Sequence, residues 1–383
     1  VGDGLLLVGI ESFQSCMGRA VADQARMALL AGAIAGTLAA CDGGRSTSPV
    51  STRHTQPLSE SIMAEISKKN MGAQSPILMR IFKEESELEI WKQDNSGRFA
   101  LLRTYPICRW SGDLGPKIKA GDRQAPEGIY PITPGLMNPD SNYYLAINTG
   151  FPNAYDRANG RTGAFVMIHG DCASAGCYAM TDEQIADIYA LAREAFLGGQ
   201  KSFQIQAFPF RMTPVNLAKH RESPHMEFWK MLKQGYDRFE ITHLPPKVDV
   251  CERHYVFDAD TPVELNPVGA CPPYKPPNNF ELLVREKEGR DELETERLIR
   301  LGTPALPMIA RGQGGMNRLY QSAIAQAGTG VTIRTAAGTI PAHAHPPSTA
   351  TTRDGEHATG EADAAASTRA VDVERFGAGS ADD

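Results

Sequence analysis

The residues best suited to chemistry in this chain lie at positions 168–180, which read I-H-G-D-C-A-S-A-G-C-Y-A-M. His169 and Cys177 put an imidazole and a thiol on neighbouring turns. A thiol attacks a carbonyl as the thiolate, so it needs a base beside it, and the oxyanion that follows needs backbone N–H donors. Gly176, directly before Cys177, permits a tight turn that aims such donors, and the loop between His169 and Cys177 is long enough to fold back on itself. Cys177 is therefore expected as the nucleophile of an acyl transfer and His169 as its general base. Ser174 would steady the loop through its hydroxyl or its carbonyl, although an ordinary turn serine explains it nearly as well.

Other chemistries compete for the same residues. His169, Cys172 and Cys177 could be three zinc ligands, but a structural site wants a fourth, and neither Asp171 nor a distant histidine offers an ordinary spacing. Cys172 could pair with Cys177 as a redox switch, or simply be a small buried residue, which is the preferred reading. Cys251 and Cys271 form a disulfide or stay as two thiols; the sequence is even between them. Cys108, at a strand end, receives no role, and His220, His225, His243 and His254 are scattered enough to be surface or core histidines. No metal or other cofactor is expected.

Composition narrows the class. A hydrophobic fraction of 42% in 383 residues supports a sizeable core in one or two domains. The net charge of -6, with Lys and Arg dispersed, gives no electrostatic footprint for nucleic acid. Seven cysteines are too few for a disulfide-built scaffold of this length, and none forms a C-x-x-C zinc pair.

Elements must deliver these side chains. I-L-M-R-I-F from Ile77, then L-E-I-W-K-Q, then F-A-L-L-R-T-Y-P-I-C, with Asp94-Asn95-Ser96-Gly97 before the last, read as short strands of a mainly antiparallel sheet. G-A-F-V-M-I-H at 163–169 reads as a strand with His169 at its end. Thr181-Asp182-Glu183-Gln184 is a capping-box signal, followed by Ile185, Ile188, Leu191, Ala192, Ala195 and Phe196 on one helical face up to Gly198-Gly199. Ile62, Met63 and Ile66 predict a short amphipathic helix within 58–70, and Phe228, Trp229, Met231 and Leu232 another helical segment. The alternating charges of 279–302 predict a solvated helix. The last forty or so residues, rich in Ala, Thr, Gly and Asp, are expected to be disordered.

The segment H-G-D-C-A-S-A-G-C resembles the active-site signature of the L,D-transpeptidase catalytic domain, the YkuD-like family, whose pattern is H-G, a spacer, then S-x-G-C. Upstream, Ala125-Pro126-Glu127-Gly128-Ile129-Tyr130 resembles that family's T-P-x-G-x-Y stretch. Together they cover roughly 77–213, and two collinear motifs are more specific than either alone. The longer run through G-D-L-G-P-K at Gly112, G-D-R-Q-A-P-E-G at Gly121, N-A-Y-D-R at Asn153 and H-G-D-C at His169 is similar to its YafK-like branch. Two departures, Ala175 where the family commonly has histidine and Ala179 where it has arginine or asparagine, together with a shorter spacer, are shared by that branch and bear on the acceptor side. The resemblance implies a mainly β fold with flanking helices (α+β), built on a β-sandwich with Cys177 and His169 at one edge.

It also implies a thioester between Cys177 and a peptidoglycan stem peptide, passed on to an amine. Water as acceptor would make the same thioester that of an amidase releasing cross-linked peptide or a peptidoglycan-linked lipoprotein. A reading from another class, a non-catalytic envelope protein binding peptidoglycan through the same cleft, leaves the retained thiol and imidazole unexplained. For an anionic stem peptide the candidate substrate-binding residues are Arg123 and Arg161, with Arg157 also in a flanking loop and Tyr178 beside the nucleophile.

The N-terminal stretch M-A-L-L-A-G-A-I-A-G-T-L-A-A from Met27 to Ala40, preceded by Arg19 and Arg26, reads as a signal peptide with a start at Met17. Leu38-Ala39-Ala40-Cys41 resembles a bacterial lipobox, which would lipidate Cys41 and hold the protein to a membrane in the periplasm or cell envelope. The expected organisation is signal peptide and lipobox at 1–41, linker and short helix at 42–75, catalytic domain at 76–213, helical extension at 214–302 and a mostly disordered tail at 303–383.

Overall fold

The run Ile77–Phe82 (β1) lacks the alternation of a half-exposed strand because both of its faces are covered. Ile77, Met79 and Ile81 join the main core, whereas Leu78 packs with Phe239 and Phe82 with Trp229 and Tyr236. Arg80 points to that second side, where its guanidinium pairs with Glu240 at 2.6 Å and lies 4.3 Å from the centre of the Tyr236 ring. The computed structural model describes residues 52–274, 280–307, 314–326, 332–335 and 338–341. The expected signal peptide, Cys41 and most of the expected tail lie outside the described residues.

Ahead of β1 comes α1 (Glu60–Lys68), capped by the Ser59 hydroxyl, with Ile62 and Ile66 turned into the core. The chain continues through β2 (Glu87–Gln93), β3 (Phe99–Pro106), β4 (Arg109–Trp110), β5 (Gly128–Ile132), β6 (Met137–Asn138), β7 (Ala146–Asn148), α2 (Ala154–Ala158), β8 (Met167–His169), β9 (Tyr178–Ala179), α3 (Asp182–Leu197) and β10 (Phe203–Phe208). One five-stranded sheet has the order β3-β2-β1-β10-β5, antiparallel except for the parallel β1/β10 pair. A second has the order β4-β9-β8-β7-β6, antiparallel except for the parallel β8/β9 pair. Their inner faces share one core: Met79, Ile90, Tyr130 and Ile205 of the first sheet and Ile147, Ile168 and Tyr178 of the second, closed by Ile185, Ile188 and Leu191 of α3. This is the mainly β, α+β sandwich. The capping box read at Thr181 and Gln184 is formed at the start of α3.

On the reverse face of the first sheet lie α4 (Pro214–Lys219), α5 (Met226–Thr242) and a hairpin of β11 (Val248–Cys251) and β12 (His254–Phe257), around Phe208, Phe210, Trp229 and Phe257. The hairpin is an addition to the helical extension that the sequence predicts. Its two turn residues, Glu252 and Arg253, both hold positive φ (51° and 64°), the conformation of a two-residue hairpin turn, here without the usual Asn-Gly. Cys251 is bonded to Cys271. The charged stretch forms α6 (Glu281–Arg300), tied to α5 by the Lys233–Asp291 and Arg238–Glu281 ion pairs. Beyond it come α7 (Arg318–Gln326) and a hairpin of β13 (Thr332–Thr335) and β14 (Gly338–Pro341). Just before α7, Gly315 pairs with Trp110 on the open edge of β4.

Candidate active site

His169 ends β8, and Cys177 directly precedes β9. The two strands run parallel with Ile168 opposite Tyr178 and His169 opposite Ala179, so Cys177 falls beside Met167. Side chains alternate along a strand, and Ile168 and Tyr178 face the core. Cys177 and His169 therefore share the opposite face, one diagonal apart, with Cα atoms about 8 Å from each other by ordinary sheet spacing, a gap the two side chains can span. The Met167 N–H donates to the Cys177 sulfur at 3.4 Å, and the thiol lies 4.0 Å from the Phe165 carbonyl. Cys177 is half-buried and forms no disulfide.

His169 is 4% exposed, with its ring tilted against Tyr143 at 4.7 Å. Its Nδ1 lies 2.6 Å from the Gly170 carbonyl oxygen. That oxygen can only accept, so Nδ1 carries the proton and Nε2 the lone pair, the tautomer a base needs. The glycine of the H-G pair is set by close approach: a Cβ on Gly170 would stand 2.4 Å from Asp182 Oδ1 and 3.0 Å from the Tyr143 carbonyl oxygen. Burial lowers the His169 pKa, against an upward pull from the Gly170 carbonyl. Burial raises that of Cys177, opposed by the Met167 N–H and the positive charge of Lys117. Both shifts favour the neutral forms, thiol and imidazole, so attack by this sulfur would require its proton to move.

The turn that carries Cys177 is tied down on several sides. Ser174 Oγ donates to the Cys177 carbonyl at 2.7 Å and accepts from the Cys177 and Gly176 N–H groups at 3.0 and 3.4 Å. Since its own proton is used, Ser174 accepts the Ser111 hydroxyl at 2.7 Å. Gly176 holds φ 130°, which favours glycine. Cys172 is bonded to Cys108, 64 residues earlier, which fastens the loop after β8 to the chain entering β4. This corrects the reading of Cys172 as a lone buried residue, and it removes Cys172 from any zinc ligand set or pairing with Cys177.

The expected substrate-binding residues divide. Arg123 is exposed, and its Cα is 3.6 Å from where a Cβ on Gly176 would stand, so it borders the nucleophile turn. Arg157 is exposed as well and donates to the Pro152 carbonyl. Arg161 is corrected: it is buried, pairs with Asp156 at 2.9 Å, and lies 4.8 Å from the ring centres of both Tyr155 and Phe228, which leaves its guanidinium engaged inside the fold. Tyr178 is corrected too. Alternation from Cys177 turns its ring into the core, where its hydroxyl donates to the Pro126 carbonyl at 2.6 Å. The sequence reading missed Lys117, Ser111, Tyr143 and the Cys108–Cys172 bond, each of which reaches the site from a distant part of the chain.

A family profile described as YkuD, L,D-transpeptidase catalytic domain, matches residues 81–216. "Putative L,D-transpeptidase YafK" of Escherichia coli K12 is 46% identical over 211 residues, which is 55% of this chain and 80% of that protein. The protein of the same description from Escherichia coli O157:H7 matches to the same extent. Among solved structures, the helical cell shape determining protein Pgp2 of Campylobacter jejuni is 17% identical, covering 51% of this chain and 80% of its own, with a TM-score of 0.29.

Proposed function

Because the chain belongs to the L,D-transpeptidase catalytic domain (YkuD) family, we propose that it is a peptidoglycan-acting cysteine acyl transferase. Its Cys177 attacks an amide carbonyl of a stem peptide. The observation that carries this reading is the shared face of Cys177 and His169, with Nδ1 of the imidazole bound to Gly170 so that Nε2 is the base. As sulfur bonds to the carbonyl carbon, the thiol proton passes to Nε2 and the carbonyl becomes an oxyanion. The Gly176 and Cys177 N–H groups, both directed at Ser174 Oγ in the resting loop, are the turn's candidate donors to that oxyanion. Using them requires the Ser174 hydroxyl to turn away. Collapse of the intermediate breaks the C–N bond, the proton on Nε2 goes to the leaving amine, and a thioester remains. An incoming amine then gives a new cross-link, with its proton taken up by the same imidazole. The protein would act in the cell envelope, with a lipid on Cys41 as its anchor if the Leu38-Ala39-Ala40-Cys41 lipobox is processed.

Water as acceptor defines the alternative, an amidase that releases peptide or a peptidoglycan-linked lipoprotein. The half-open thiol supports either outcome. Two measurements test these readings. Intact-mass analysis after incubation with a carbapenem should show a covalent adduct that is absent from Cys177→Ala; no adduct on the parent protein defeats the cysteine mechanism and favours a binding protein. Digestion of treated sacculi, with and without attached lipoprotein, then separates new cross-links, which mean transfer, from released peptide or protein, which means hydrolysis.

A further inference from the structure

The loop of residues 112–127 brings a buried cation, the last residue of the G-D-L-G-P-K run, against the segment that contacts the Cys177 thiol. Lys117 is 5% exposed. Its ammonium donates to the Asp122 carboxylate and, at 3.0 Å, to the Lys119 carbonyl, and it lies 5.8 Å from the centre of the Phe151 ring. Asp122 is anchored in turn, accepting the Ile118 and Lys119 N–H groups at 2.9 Å each and the Gln124 N–H at 3.0 Å. The segment leading into β8, which carries the thiol's backbone contacts, packs against this loop. The Thr162 N–H bonds to the Ile118 carbonyl at 3.0 Å, and a Cβ on Gly163 would stand 2.9 Å from Lys117 Cε. Two residues on, at most about 7 Å along the chain, comes the Phe165 carbonyl against the Cys177 sulfur.

We propose that Lys117 is a positioning residue that stabilises the Cys177 thiolate, its ammonium being held by Asp122 and the Lys119 carbonyl beside the segment that contacts the thiol. A burial-disfavoured thiolate gains most from a fixed cation, because such a cation need not reorganise when the charge appears. The other titratable groups around the sulfur do not supply this. His169 is neutral and on the same face, Tyr178 is a core phenol, Arg123 approaches Gly176 with its backbone while its side chain is exposed, and Asp171 and Asp182 stand beyond His169 with the wrong sign. Lys117 is the side chain whose charge opposes the burial of the thiol. Holding the ammonium with a carboxylate moderates its field, which leaves the thiol protonated at rest yet ready to ionise.

The proposal rests on Cys177 being the nucleophile, but its test does not require turnover. Iodoacetamide alkylation of Cys177 in the full oxidised chain, followed by peptide mass spectrometry across pH, reads the ionisation of that one sulfur. Lys117→Met should move the alkylation midpoint upward and slow the reaction at neutral pH by roughly an order of magnitude, the low end of what a neighbouring opposite charge does to a titration. Lys117→Arg, which keeps the charge, should restore most of it. An unchanged midpoint in Lys117→Met, or equal slowing in both variants, overturns the proposal in favour of a packing role. Asp122→Asn keeps the ammonium while removing its counter-charge and should move the midpoint downward; should Lys117→Met fail to fold, no downward shift in Asp122→Asn overturns the proposal instead. Turnover by Cys177→Ala would defeat the catalytic reading separately, whatever the alkylation shows.

Discussion

Gly314→Ala should loosen the edge of the active-site sheet from more than a hundred residues away in sequence. Gly314 holds φ 73°, and a Cβ there would stand 1.6 Å from the Trp110 carbonyl oxygen, 2.5 Å from its carbon and 2.7 Å from Ser111 Cα. These are backbone atoms, which cannot swing aside as the end of a side chain can, so the segment must lift off. Lifting it breaks three backbone bonds: Gly314 N–H to Gly112 O at 2.8 Å, and the Gly315 and Trp110 N–H groups to each other's carbonyls at 3.0 Å each. At about 1 kcal/mol net apiece the loss is about 3 kcal/mol, and detachment caps it there because the full steric clash is never borne. For a domain of this size that lowers the melting temperature by roughly 6–12 °C. Gly289→Ala is the control: it lies within α6 with open space around it, and replacing a helical glycine there should stabilise by roughly 0.5–1 kcal/mol. Thermal unfolding reads both, and hydrogen exchange at the Trp110 amide should lose protection in Gly314→Ala only. Because Ser111 follows Trp110 and bonds Ser174, thiol acylation should slow as well. A melting temperature within a degree of the parent, with Trp110 still protected, would refute the reasoning.

Three other perturbations test the framework of the site. Replacing Cys108 and Cys172 together by alanine opens a loop of 64 residues and should cost about 4 kcal/mol by chain entropy, read by denaturant unfolding under oxidising conditions; acylation should drop with it, and a full rate would show that the nucleophile turn does not need this bond. Lys83→Met leaves Glu127 buried without the cation 2.9 Å away, though still bonded to the Gly115 N–H and Trp229 Nε1, and should destabilise by about 3–5 kcal/mol in urea melts. For pH, burial holds His169 below the ordinary histidine value of about 6.5, so the acid limb of kcat/KM should fall below that value. The same depression means that the unfolded state binds more protons in this window. Stability from this group is therefore present above pH ~6.5 and lost on acidification towards the lower folded value, and His169→Gln should flatten that part of the melting curve.

The candidate pair was legible because strands announce themselves: an apolar run ending in His169, then a glycine turn into Cys177, leaves little freedom about which face the two share. The capping box fixed the start of α3 with equal clarity. Tyr178 shows the limit of reasoning by adjacency, since the neighbour of a surface residue in a strand belongs to the other face. Arg161 shows another, because its partner Asp156 is five residues back across the turn that ends α2, and nothing in the spacing tells a buried pair from two surface charges. The Cys108–Cys172 bond and the Ser111–Ser174 contact join parts of the chain about sixty residues apart, and only the closing of β4 onto β9 brings them together. The β11–β12 hairpin escaped because Glu252 and Arg253 carry its left-handed turn in place of the glycine or asparagine that would have marked it.

These braces meet the turn that carries Cys177 at several points, with β4 and β8 on opposite edges of β9. The disulfide holds Cys172, Ser111 holds Ser174, β4 and the parallel β8 hold the strand that follows Cys177, and Gly315 closes the outer edge of β4. Near the candidate pair are two rings that the described residues leave largely open: that of Phe165, 77% exposed on a left-handed φ of 56° with its carbonyl 4.0 Å from the sulfur, and that of Tyr143, 47% exposed against the His169 ring. If Cys177 is the nucleophile, as proposed, these open rings are the expected flank along which a substrate reaches the sulfur. A substrate arriving that way would cover the apolar rings as it delivered its carbonyl, so the contact that aligned the reacting carbon would also keep stray water from the proposed thioester. On the proposed thioester mechanism an acceptor would then enter by the same mouth, and the choice between amine and water would turn on how much of that rim the first substrate leaves covered once its amine has departed.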